Sequence, residues 1–453
     1  MINGNNKIKH PNPMTTDLII IGSGPGGYRA AEYAAKNGLQ VVIFEGAHAG
    51  GTCLNCGCIP TKTLLHEASL SHPDYNRAST HKETVVSQLR AGVEQLMARP
   101  HITLIQGWAA FKDSHTITCN GTDYEAPNII IATGSSPKQP PISGIDHPRV
   151  LNSTQLLSVP APPATLLIIG AGVIGMEFAS IFHRFGTRVT IVEYLKECLP
   201  ATDSDLAKRL RKNMEKQGIT FHMQAAVKSI DETGIVFEQK GKEQHLDVDA
   251  ILIATGRQPN TAGLNLEAAD ILYDRQGIHT DPETMLVRHT EGHSTRNTGV
   301  GIYAIGDVNG QSLLAHAATM QGIRAVNHIL GRPDNIHLDI MPAAVFTTPE
   351  IAGVGLTEDQ CRQQGIACTS KKGFYRANGK ALASDSTEGL LKLIVADDGR
   401  QILGAHCMGA HAADIIQEVT ALMNLHATID QLKDIVHIHP TLGEILLDTA
   451  QQF

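Results

Sequence analysis

The stretch Asp17 to Glu45 opens on an apolar run, DLIII, and turns through Gly22-Ser23-Gly24-Pro25-Gly26-Gly27. It continues as a small-residue segment of helical character and closes on a second apolar run, VVIFE. Strand, glycine turn, helix and a strand ending in an acid 23 residues after the first glycine form a complete β–α–β nucleotide fingerprint. The glycines let a pyrophosphate approach the helix N-terminus, and Glu45 can accept from a ribose hydroxyl. The pattern then recurs over Leu166 to Glu193, with Gly170, Gly172 and Gly175 in the turn and Glu193 again 23 residues after the first glycine. One glycine motif is weak evidence. Two complete copies imply two dinucleotide sites on two parallel α/β sheets.

Just after the first copy lies GTCLNCGCIPTK, Gly51 to Lys62, with three cysteines in six positions. Four residues separate Cys53 from Cys58, a gap that suits a disulfide, whose Cα atoms must lie within about 7 Å. Cys53 to Cys56 is a C-x-x-C, which suits a metal or a thioredoxin-like pair. Thiols this dense point to redox or metal chemistry rather than core filling, and the cluster alone does not choose between them. Beside two dinucleotide sites, it implies a relay of flavin, nicotinamide and disulfide.

Five motifs carry a resemblance: GTCLNCGCIPTK, ATGS (Ala132 to Ser135), IATGRQPN (Ile253 to Asn260), IYAIGD (Ile302 to Asp307) and HIHPTLGE (His437 to Glu444). From Asp17 to Phe453 the chain resembles the pyridine nucleotide-disulfide oxidoreductases, and within them the branch that oxidises dihydrolipoyl groups. The resemblance implies an α/β protein with two Rossmann-like dinucleotide-binding domains and a C-terminal α+β interface domain. Residues 17–150 and 266–338 would bind FAD, 151–265 would bind NAD, and 339–453 would dimerise, after a disordered tail over 1–16. A length of 453 residues agrees with about three domains.

The resemblance also assigns roles. Cys53 becomes the interchange thiol and Cys58 the flavin-contacting thiol; Cys56, where the family usually has another residue, is expected to be idle. His439 is the implied acid–base catalyst, oriented by Glu444, with His437 a bystander and the His439–Pro440 bond cis to aim the ring. The four residues Thr441 to Glu444 also fit a helix capping box. Lys62 is implied to sit near the flavin, paired with Glu177. FAD contacts are implied for Gly22, Gly24, Gly27, Glu45, Thr52, Ala109, Thr133, Gly134, Ser135, Asp307 and Ala315. NAD contacts are implied for Gly170, Gly172, Ile174, Gly175, Glu193 and Gly256. Glu193 favours NAD, because an acid there accepts from the 2′-hydroxyl and repels a 2′-phosphate.

A net charge of −8 with 18% charged residues offers no basic face for nucleic acid and no polybasic anchor. No run approaches the roughly 18 apolar residues that span a bilayer. Eight cysteines, five of them scattered, suit a reducing compartment, and a cytoplasmic location is expected. Expected partners are a second copy of the chain and the lipoyl-carrying subunit of a 2-oxoacid dehydrogenase complex or glycine cleavage system. The stretch Met285 to Thr298 is longer than the family usual; its His289 and His293 have metal-like spacing but lack a third ligand, so a polar hairpin and no metal site are expected. Two alternatives stand beside the main reading: a glutathione-type reductase using NADPH, and a non-catalytic flavoprotein whose thiols hold a metal or cluster.

Overall fold

The computed structural model describes residues 13–290 and 301–453. His289 is therefore described, while His293 of the expected hairpin lies outside the described residues. The chain divides into two compact units. One comprises 13–55, 87–136 and 258–336; the other comprises 56–86, 137–257 and 337–453. The segments expected as separate NAD-binding and interface domains fall together in the second.

The first unit is built on a five-stranded parallel sheet in the order Gly301–Ala304, Asn128–Ile131, Leu18–Ile21, Val41–Glu45, Ile102–Gln106. Its strands read as unbroken Ile and Val runs because both faces are covered, as in parallel sheets generally. Ile19, Ile21, Phe44, Ile129, Ile131 and Ile302 are all buried in one core. The pairing Ile129 with Ile302 brings the chain back into this sheet after the second fingerprint. An antiparallel sheet of Ala109–Phe111, Thr116–Cys119 and Thr122–Glu125 lies in the same unit.

One local expectation changes. Met14 and Thr15 pair with Tyr124 and Glu125 as an edge strand, so a disordered tail reaching residue 16 is corrected at its C-terminal end. The backbone groups of these residues are satisfied by a ladder, which sequence polarity does not reveal. The run Ile102 to Phe111 is two strands in two different sheets, broken at Gly107 and Trp108.

The second unit repeats the parallel design with Val150–Leu151, Ala250–Ile253, Thr165–Ile169, Arg188–Glu193 and Thr220–Met223. Its other large sheet is antiparallel, in the order Ala343–Val345, Ile351–Gly355, Ile402–Met408, Leu390–Ala396, Cys368–Phe374. The helices Ala412–Asn424 and Glu444–Ala450 contribute Ile415, Ile416, Val419, Ile445 and Leu446 to the core of that sheet.

A buried ion cluster ties the two sheets' segments together. Lys392, on a central antiparallel strand and 2% exposed, meets Asp203 at 3.0 Å, Asp205 at 3.2 Å and Glu358 at 2.6 Å. Burial works against the ammonium, yet Glu358 and Asp203 together hold its pKa above the usual lysine value.

Candidate active site

The first glycine turn is a cradle that side chains would fill. Gly22 has φ of 103°, and a Cβ on Gly27 would lie 1.9 Å from the Gly22 carbonyl oxygen. Only glycine permits that backbone and that approach. The helix Pro25–Lys36 therefore begins with Gly24 as its cap and no side chain over its N–H groups. Glu45 closes the cradle: its carboxylate accepts from Ser23 N at 3.0 Å, Ser23 Oγ at 2.6 Å and Ala47 N at 2.8 Å.

The second turn has the same construction. Gly170 has φ of 109°, and a Cβ on Gly175 would meet the Gly170 oxygen at 2.1 Å. The helix Val173–Arg184 starts at Gly172, with Ile174 half-buried on its first turn. Glu193 accepts from Ala171 N at 2.6 Å and Leu195 N at 2.7 Å. Arg188 opens the same strand five residues earlier, about 16 Å away at the usual rise per residue. Gly256 lies exposed beyond the strand Ala250–Ile253, its oxygen accepting from Lys138 N at 3.0 Å. Each turn thus offers bare N–H groups at a helix start, with a fixed carboxylate at the next strand end. That shape fits the pyrophosphate and ribose of a dinucleotide.

Around the first cradle, Ser135 Oγ donates to Asp307 at 2.5 Å. The Thr133–Gly134 turn is held by Asn260, which sequence reasoning did not single out. Asn260 Nδ2 donates to Thr133 O at 2.9 Å, its backbone N–H to Gly134 O at 3.0 Å, and its own oxygen accepts from Thr133 Oγ1 at 2.8 Å. Ala109 is buried at the start of its strand, and Ala315 is the first residue of the helix Ala315–Ile329.

The cysteine stretch is two helices, Gly51–Cys56 and Cys58–Ala68, separated by Gly57. Thr52 and Cys53 lie on the first, with Thr52 exposed. Asn55 pins this helix, donating to Ala49 O and Gly51 O at 3.0 and 2.9 Å and accepting from Arg90 Nε at 2.7 Å. Cys58 is exposed and opens the second helix. The positive end of a helix favours a thiolate there. Cys56 is the last residue of the first helix and half-buried.

One turn beyond Cys58, Lys62 Nζ lies 2.9 and 2.8 Å from the two carboxylate oxygens of Glu177. Glu177 is buried and also accepts from Phe346 N at 2.9 Å. Lys62 Nζ in turn lies 4.8 Å from the Phe346 ring centroid. Phe346 therefore serves both partners of the pair, through its amide and through its ring.

His439 is exposed, with Nδ1 2.8 Å from Glu444 Oε1. The other carboxylate oxygen accepts from Thr441 N at 2.7 Å. That amide and then His439 hold the Glu444 carboxyl below its usual range. The His439–Pro440 bond is cis. The capping box is corrected: the helix starts at Glu444 with Gly443 as its cap, and the Thr441 hydroxyl donates instead to Ile438 O at 2.8 Å. Only the half of the box running from Glu444 to the Thr441 amide exists. His437 is turned inward, with Nε2 3.0 Å from Glu418.

Among the described residues no group of three or more His, Cys, Asp or Glu side chains is placed to hold a metal ion. None of the described helices is long and apolar enough to cross a membrane.

Residues 16–322 match the family model for pyridine nucleotide-disulphide oxidoreductases, and residues 341–450 match the dimerisation domain of the same family. The chain belongs to this family. This oxidoreductase is 38% identical to the dihydrolipoyl dehydrogenase of Thermus scotoductus, over 96% of this chain and 97% of that one. It is 36% identical, at the same coverage, to dihydrolipoyl dehydrogenase 3 of Pseudomonas putida. Among solved structures, the HOCl-induced flavoprotein disulfide reductase RclA from Escherichia coli superposes with a TM-score of 0.87 at 34% identity, over 96% of this chain and 99% of that one. An oxidoreductase of this family uses FAD and NAD(H), and the two cradles fit two dinucleotides.

Proposed function

We propose that the chain is a cytoplasmic homodimer that oxidises dihydrolipoyl groups, carried on the lipoyl-bearing subunit of a 2-oxoacid dehydrogenase complex or glycine cleavage system. The observation that carries this reading is the exposed His439 with its Nδ1 on an ionised Glu444. Nδ1–H donates to Glu444, which leaves Nε2 as the base that a substrate dithiol needs.

The exchange follows from that base. His439 takes the proton of the first substrate thiol, and the thiolate attacks Cys53 Sγ, breaking a Cys53–Cys58 disulfide and leaving Cys58 as thiolate. The second substrate thiol then displaces Cys53 and closes the substrate's own disulfide. Of the two substrate protons, one ends on Cys53 and the other on His439. FAD, when bound at the first cradle, supplies the two-electron acceptor between Cys58 and NAD. Gly22, Gly24, Gly27, Glu45, Thr52, Ala109, Thr133, Gly134, Ser135, Asp307 and Ala315 would hold it. Lys62, fixed by Glu177, would place a cation beside it and support the Cys58 thiolate. Gly170, Gly172, Ile174, Gly175, Glu193 and Gly256 would hold NAD.

A second reading, reduction of some other disulfide at the expense of a nicotinamide, is favoured by the likeness to RclA. Steady-state rates with dihydrolipoamide, oxidised glutathione and each nicotinamide separate the two. Glutathione reduction with NADPH, without dihydrolipoamide oxidation, would reject the proposal.

Two expected results arise here. NAD should be preferred over NADP at least roughly tenfold, the scale of one badly placed charge contact. Glu193 is locked by two backbone donors and cannot swing away from a 2′-phosphate. A preference for NADP would remove Glu193 from this role. For the acid–base pair, Glu444→Gln should lower kcat/KM for dihydrolipoamide about a hundredfold, while NADH still bleaches the flavin band. Glu444, its pKa depressed, stays ionised down through the usual carboxylate range, so its protonation is not what limits the rate between about pH 5 and 9. The acid limb of the profile should therefore survive in Glu444→Gln. Its loss there would show that protonation of Glu444 limits the rate.

A further inference from the structure

Trp108 is the chain's single tryptophan and is 83% exposed. Its indole nevertheless has a seat. A Cβ on Gly46 would lie 2.7, 2.8 and 2.9 Å from Cδ2, Cε2 and Cε3, so the ring rests against the backbone of residue 46 and a side chain there would push it aside. Gly46 directly follows Glu45, the acid of the first fingerprint, and Trp108 directly precedes Ala109. The gap between the strands Ile102–Gln106 and Ala109–Phe111 thus delivers an aromatic ring beside the carboxylate that closes the first cradle. A nucleoside whose ribose hydroxyls meet Glu45 carries its base within the reach of one side chain from that carboxylate. In the second fingerprint the residue after the acid is itself aromatic, Tyr194, and is 76% exposed. The two sites reach the same result by different routes, one with the aromatic in place and one with a glycine that seats an aromatic from the next strand connection.

We infer that Trp108 is the stacking platform for the adenine of the dinucleotide held at the first cradle. An exposed indole with one side seated on backbone presents an apolar surface at low entropic cost, and base–aromatic stacking removes that surface from water. The inference rests on the reading that FAD occupies this cradle.

Tryptophan emission from this protein reports on residue 108 alone. In the flavin-loaded enzyme, acrylamide should quench it with a Stern–Volmer constant at least about threefold below that of free N-acetyltryptophanamide, because the base covers the ring. Trp108→Ala should release FAD roughly tenfold faster on dilution, and Trp108→Phe should stay within about threefold of the native rate. Since the side chain is exposed, its removal leaves the core intact, and the KM for NAD should not change. Free quenching in fully loaded enzyme, or unchanged FAD release from Trp108→Ala, would overturn the platform. A native protein that retains no flavin would fail the FAD reading itself, and the platform with it.

Discussion

Replacing either Cys53 or Cys58 by serine is expected to cut dihydrolipoamide turnover by at least about a thousandfold, while Cys56→Ser keeps more than about half of it. Serine can neither form a disulfide nor carry two electrons, so loss of either exchanging sulfur leaves no alternative path. The asymmetry among the three thiols comes from local structure. Cys58 begins a helix, where the unsatisfied N–H groups stabilise a thiolate, and it is open to solvent. Cys56 ends the preceding short helix, where the carbonyl end of the backbone gives a thiolate no such support. Steady-state rates of the three single variants, each checked for flavin content, measure the difference. An inactive, flavin-loaded Cys56→Ser would mean that the exchanging pair is misassigned.

Co-expressing Cys53→Ser and His439→Ala chains should restore activity that neither variant has alone. In the proposed homodimer each site takes its thiols from one subunit and its base from the other. A heterodimer then holds one site with both intact and one with both lost, and should recover up to about half of native turnover. The segment bearing His439 supports such an arrangement: Leu425, Val436 and Ile438 are exposed, Val436 to 94%. Exposed apolar side chains of that kind, two of them within three residues of the proposed base, mark a surface that another protein covers. The dimerisation-domain match over residues 341–450 spans all three. Purified heterodimer that binds FAD yet stays as inactive as its parents would place thiols and histidine in one chain.

The fingerprints could be read from sequence because their determinants are local. A glycine at a positive φ, a second glycine against its carbonyl and an acid at the next strand end all fall within one β–α–β unit. The pairs that stabilise the site are not local. Phe346 meets Glu177 from 169 residues away and Asn260 meets Thr133 from 127 away, and no spacing rule connects them. Asn260 does close the stretch IATGRQPN, but its partner Thr133 lies in a different motif, ATGS. The capping box failed for a different reason: Thr441 and Glu444 have the right spacing, yet the helix starts at Glu444 with Gly443 as its cap, so the Glu444 carboxylate accepts from the Thr441 amide and meets His439 instead. The expected tail shows the weakness of polarity as a guide, since two exposed residues joined a ladder through backbone groups alone.

The Lys392 cluster bears on how this protein can be taken apart. The dimerisation segment has its own sheet and its own core, and by motif it looks like a module that could be excised and grafted. Cut free near residue 337, it would keep Lys392 and Glu358 but lose Asp203 and Asp205, the acids that meet the ammonium from the nucleotide-binding segment. Breaking a buried pair costs about 3–5 kcal/mol, a large part of a typical domain's whole stability. The boundary drawn by sequence motifs is thus not a boundary of autonomous folding. A shuffled chimera should carry residues 137–257 and 337–453 from the same parent.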